Sequence, residues 1–89
     1  MNLDNAIFTN RFPKLDLHGI ECDIAKVMVN DFIADNLKLK NKFVVIVHGI
    51  GHGILKKEVM EVLKTNKAVL DYKMPYNNIG CTIAMLSID

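Results

Sequence analysis

Little in this chain of 89 residues directs it to a membrane or to an oxidising compartment. No apolar run approaches the roughly 18 to 20 residues of a membrane span, and the opening MNLDNAIFTNRFPK lacks the charged-then-apolar pattern of a secretory signal. The cytoplasm is the expected compartment, with no membrane partner. Cys22 and Cys81 lie far apart with no CxxC pair and no histidine at metal spacing, so structural zinc is not expected and two free buried thiols are. Charge of one sign is also scarce. At a net charge of +1, any nucleic-acid affinity must come from a local basic patch and not from the bulk field. The phosphate loop GxxxxGK followed by Ser or Thr is absent, and the glycine spacing is wrong for the dinucleotide fingerprint GxGxxG, which argues against nucleotide hydrolysis. What the chain does hold is apolar content of 51%, enough for the core of one small domain near the low end of what folds without disulfides or metal.

The organising stretch is FVVIVHGIGHGILKK, residues 43 to 57. Its first five residues are β-branched or aromatic with no polar alternation, which predicts a strand covered on both faces, as in the middle of an α/β sheet. Gly49, Gly51 and Gly53 then predict a tight turn at the strand's carboxyl end, followed by a helix start. Glycine takes positive φ, and the first N–H groups of a helix have no intrahelical partner, so the turn is a candidate anion cradle. His48 and His52 flank the middle of this turn and titrate near neutrality.

Before this stretch, residues 1 to 13 show no sustained period and read as an amino-terminal arm that Ile7, Phe8 and Phe12 could pin; the domain proper is expected over residues 14 to 89. In KLDLHG, Leu15 and Leu17 alternate with Asp16 and His18, the period of a short strand with the last two on the face away from the core. Apolar residues at spacings of three and four from Asp23 to Leu39 predict an amphipathic helix, with Asn41 as its turn residue. A second helix is expected over 54 to 65, and strands over 68 to 74 and 81 to 88 on either side of the turn-rich PYNNIG. The order β-α-β-α-β-β, with a right-handed crossover and a closing hairpin, predicts a two-layer α/β sandwich with a mixed four-stranded sheet.

If the first two strands are parallel, His18 and His48 leave them at the same carboxyl edge, where α/β folds place ligands. Asp16, His18 and His48 are therefore the candidate catalytic residues. A carboxylate beside an imidazole can hold its tautomer, and imidazole moves protons at neutral pH. The plainer alternative for Asp16 is a carboxylate bonded to the turn amides near Gly19, and for each histidine a bond to neighbouring backbone. His52 is a phosphate or solvent contact in this reading. Lys56 and Lys57, at the start of the second helix, could neutralise phosphates approaching the amides of Gly49, Gly51 and Gly53. Tyr76 is more readily a packed ring than a stacking platform.

LDLHG at 15 to 19, HGIGHGILK at 48 to 56 and IGCTIAML at 79 to 86 together resemble the three signatures of the small MutS-related, or Smr, domain. The resemblance covers residues 14 to 88 and implies a free-standing member with a fold like the carboxyl-terminal domain of bacterial translation initiation factor three. It implies nucleic-acid binding with endonuclease activity, on DNA in repair or recombination or on messenger RNA at stalled ribosomes. The LDxH motif carries over to Asp16 and His18, and HGxG to His48, Gly49 and Gly51. Ile50 stands where lysine is frequent, His52 where threonine is frequent, Lys56 in place of a frequent arginine, and Asn77 and Asn78 in place of a glycine pair. Asp16 with the two histidines could ligate magnesium or manganese, whereas cleavage of RNA through its 2′-hydroxyl needs no metal. The rival readings are a nucleic-acid-binding module without catalysis and a domain that docks on a ribosome or a repair protein.

Overall fold

The computed structural model describes residues 11–51, 53–75 and 79–88. Among them the elements run β1 (Lys14–Asp16), α1 (Cys22–Lys38), β2 (Phe43–Val47), α2 (Ile54–Thr65), β3 (Val69–Lys73) and β4 (Cys81–Leu86), the expected order. They form a four-stranded sheet ordered β1-β2-β4-β3. β1 and β2 are parallel, as a connection through the 17-residue α1 permits, while β4 runs antiparallel to both β2 and β3. No helix among the described residues is long and apolar enough to cross a membrane.

β2 is covered on both faces, which is why FVVIV carries no polar alternation. Val44 and Ile46 point to the helical layer and join Leu17, Ala25, Val29, Ile33, Val59 and Leu63 in the main core. Phe43 and Val45 point the other way and cluster with Cys81 and Ile83. Phe12 stacks on Phe43 at a centroid separation of 5.4 Å, and the carbonyl of Pro13 accepts a hydrogen bond from Val45 N–H at 2.8 Å. Phe12 and Pro13 are thus held against the sheet, whereas Ile7 and Phe8 lie outside the described residues. Neither cysteine is in a disulfide, and only Cys81 is buried; Cys22 is half-exposed at the start of α1.

Several boundaries differ from expectation for local reasons. β1 stops at Asp16 because the chain turns at once: Ile20 N–H bonds to the Leu17 carbonyl at 3.0 Å, and Gly19 takes φ of 73°. β3 and β4 are each shorter than the expected 68 to 74 and 81 to 88, and the β3–β4 register slips between Val69 and Asp71. After α1 the left-handed residue is Lys40, at φ of 59°, and not Asn41. Asn41 serves instead as a clamp, its side-chain amide donating to Asn36 Oδ1 at 2.8 Å and its backbone N–H to the Asn36 carbonyl at 2.9 Å. Asn36 is buried, so those contacts satisfy polar atoms that would otherwise destabilise the helix end. The two helices are tied at their surface by the Lys26–Glu58 ion pair at 3.0 Å.

A left-handed conformation costs a residue with a Cβ roughly 1–2 kcal/mol, partly offset in glycine by the greater freedom of its unfolded chain. Lys40→Gly is therefore expected to stabilise the domain by about 0.5–1 kcal/mol, read as a higher urea midpoint with an unchanged slope.

Candidate functional site

The parallel register sets Asp16 beside Val47, so β1 and β2 end together and the segments after them leave from one edge of the sheet. Alternation along the strands places Asp16 and Val47 on the face away from the helices, and Leu15, Leu17 and Ile46 on the helical face. His48, two residues after Ile46, turns toward the helical side and is 6% exposed. Asp16 and His48 thus reach the edge from opposite faces, and both line a cavity of about 490 Å³ with His18, Gly19 and Ile50.

Their hydrogen bonds separate their roles. Asp16 Oδ1 accepts the backbone N–H of His18 at 2.9 Å, the turn-bonding alternative anticipated for this carboxylate. The His18 side chain is exposed. In His48 both ring nitrogens are engaged, Nδ1 with the Gly49 carbonyl at 2.9 Å and Nε2 with Thr82 Oγ1 at 2.9 Å. A carbonyl only accepts, so Nδ1 carries the hydrogen and Nε2 receives the Thr82 hydroxyl proton. Burial pushes the His48 imidazole below its ordinary pKa, and the nearby Lys56 charge adds to this, against an opposing pull from the Gly49 hydrogen bond. His48 is a neutral ring held in one tautomer.

The turn that follows is anchored at its start. The N–H groups of His48 and Gly49 both donate to the Gly80 carbonyl, at 3.0 and 2.8 Å. The Gly49 amide therefore faces β4 and not an incoming anion, and any anion contact from the turn must come from amides beyond it. Gly49 and Gly53 take φ of 80° and 78°, with open space where a Cβ would stand, so it is conformation and not crowding that calls for glycine there. Gly53 is the residue from which α2 starts. Lys56, one turn into that helix, borders a second cavity of about 280 Å³ with Gly51, Gly53, Ile20 and Ile54, while Lys57 is exposed and borders neither cavity. His52, Tyr76, Asn77 and Asn78 lie outside the described residues.

Among the described residues no three His, Cys, Asp or Glu side chains are grouped to hold a metal ion. Asp16, His18 and His48 share a cavity wall without converging as ligands. Two residues that complete the site were not singled out from the sequence, Thr82 and Gly80. The signal for Thr82 was present: it is the lone hydroxyl in the apolar run CTIAML, and a buried hydroxyl needs a partner.

A two-layer α/β domain with a histidine-glycine turn at the shared edge of two parallel strands defines the class of protein. The chain belongs to the Smr domain family, whose model matches residues 15–86. The Endonuclease MutS2 of Streptococcus suis is 36% identical over 78 residues, covering 82% of this chain and 10% of that protein. The chain therefore spans about a tenth of the length of such relatives. In fold it is similar to the Smr domain of Thermus thermophilus MutS2, with a TM-score of 0.80 at 24% identity over 84% of this chain and 98% of that one. A stand-alone small MutS-related protein from Escherichia coli superposes with a TM-score of 0.75, also at 24% identity, over 82% of this chain and 63% of that one.

Two outcomes test this account of His48. Thr82→Val leaves Nε2 buried without its donor and is expected to cost about 1–3 kcal/mol in urea unfolding. The lowered pKa means that the unfolded chain takes up a proton below about pH 6.5 that the folded ring resists. Stability is then complete above that pH and is lost as pH falls toward the folded value. The urea midpoint should drop more between about pH 7.5 and 5.5 in the wild type than in His48→Gln; equal slopes would remove His48 as the cause.

Proposed function

We propose that the domain binds nucleic acid at the edge formed by β1 and β2 and cleaves phosphodiester bonds there. The observation that carries this reading is one cavity lined by a carboxylate, Asp16, and an exposed imidazole, His18, beside the glycine turn. Membership of a family whose longer relatives include proteins named as endonucleases supports it. His18 is the better proton carrier of the two histidines, because the nitrogens of His48 already have partners. On RNA, His18 would take the proton of a 2′-hydroxyl as its oxygen attacks the neighbouring phosphorus and the 5′-oxygen leaves, taking a proton from solvent water; on DNA, His18 would take a proton from a water whose oxygen attacks phosphorus while one ester P–O bond breaks, its oxygen likewise protonated by solvent. Asp16 would position the nucleophile with a carboxylate oxygen. His48 acts as a positioning residue for the turn. Lys56, with amides of the turn beyond Gly49 and of the first turn of α2, would stabilise charge developing on the phosphate oxygens, commonly the largest contribution to such a step.

The test is cleavage of labelled RNA and DNA, single-stranded and duplex, in magnesium, manganese or chelator. Asp16→Asn keeps an acceptor for the His18 amide, and His18→Ala removes an exposed ring, so both should fold as the wild type does by circular dichroism. Each is expected to slow cleavage roughly 10²- to 10⁴-fold. Cleavage at the wild-type rate in both variants would sink this assignment.

A binding module without catalysis is favoured by one feature, the engagement of both His48 nitrogens and of the Gly49 amide in holding the fold. That reading predicts binding that weakens as salt rises, through release of phosphate counterions, with no cleavage in any lane.

A further inference from the structure

The two cavities at the sheet edge differ in chemistry. They share His48, Gly49, Ile50, Gly51 and Leu55. The first adds Asp16 and His18, whereas the second adds Ile20, Ile54 and Cys22, from the starts of α1 and α2. At about 280 Å³ the second is slightly below the ~300–1,000 Å³ of ordinary small-molecule pockets, room for one ring system and no more. Ile50 and Ile54 are 64% and 63% exposed. One exposed isoleucine on a surface carries no message. Two at the mouth of a single cavity, next to a site of proton-transfer residues, leave apolar area that a bound group would cover. Glu21 on the rim disfavours a phosphate inside and suits a neutral ring, while Lys56 on the same rim can hold the phosphate attached to it.

We propose that the second cavity is a nucleobase subsite: Ile20, Ile50 and Ile54 enclose one unpaired base of a strand whose neighbouring phosphodiester lies against Asp16 and His18. The proposal rests on the nucleic-acid reading above and names its substrate class. A base inside a duplex is stacked and paired and does not enter such a cavity, so the substrate is single-stranded or locally unpaired. Enclosure by aliphatic side chains tolerates any base, since each has an apolar face and no hydrogen-bond code is read. The contact adds affinity without adding salt dependence.

The experiment is fluorescence anisotropy with a short single-stranded oligonucleotide and a copy of the same length in which every position is abasic, since a subsite that takes any base lets the strand slide past a single missing one, using the wild type, Ile54→Ser and Ile50→Ser. Both isoleucines are exposed, so the variants should keep the wild-type circular dichroism. The abasic copy is expected to bind the wild type about tenfold more weakly than the intact strand. Each serine variant should lose a similar factor on the intact strand, lose nothing more on the abasic copy, and keep the wild-type salt slope. An abasic copy bound as tightly as the intact strand, or serine variants that bind as the wild type does, would overturn the subsite and leave the nucleic-acid reading standing. No binding of the intact strand by the wild type at low salt would overturn both. Duplex bound as tightly as single strand would overturn the substrate class.

Discussion

The buried imidazole of His48 is the contact on which this edge of the molecule depends. It joins the end of β2, the turn through the Gly49 carbonyl, and β4 through the Thr82 hydroxyl. The Gly80 carbonyl reinforces the junction by accepting two successive amides from the same turn. In a low-dielectric setting such bonds strengthen one another, and a missing member leaves buried polar atoms without partners. The start of the glycine turn is thereby fixed.

Everything with chemical potential is then placed by the parallel pairing of β1 with β2. That pairing ends both strands at the same level, so Asp16 and His48, distant in sequence, border one cavity. The aspartate contributes to its own local turn by accepting the His18 amide, which sets the direction in which the chain leaves β1. The exposed imidazole of His18 is thus carried on a short rigid turn and not on a free loop. The two histidines differ in setting: His48 is buried with both ring nitrogens bonded, and His18 is exposed to solvent.

Periodicity made the architecture legible, because burial on one or both faces acts on every residue of an element. FVVIV could only be a strand covered on both sides, and the spacing of Ala25, Val29 and Ile33 could only be a helix face. The site was legible in its members and less so in their connections. Asp16, His18 and His48 do meet at one edge, yet the partner of His48 is Thr82, 34 residues away, a distance to which no local pattern is sensitive. The same holds at the end of α1. Asn41 looked like the turn residue by propensity, but the conformation fell to Lys40 because Asn41 was needed to satisfy the buried Asn36. Propensity ranks residues for a position and says nothing about a competing demand on their side chains.

The low net charge of the chain acquires a meaning from this placement. A protein that holds a polyanion by charge alone needs many cations on one face, since each phosphate contact contributes through counterion release. Here Lys56 borders the second cavity while Lys57 borders neither cavity, and the turn carries the exposed Ile50. The binding proposed at this edge would then draw on apolar contact and on the fixed directions of turn and helix amides as much as on charge. Apolar contact requires a surface that a duplex keeps hidden, the face of an unstacked base, so the scarcity of charge agrees with the proposed preference for unpaired nucleic acid.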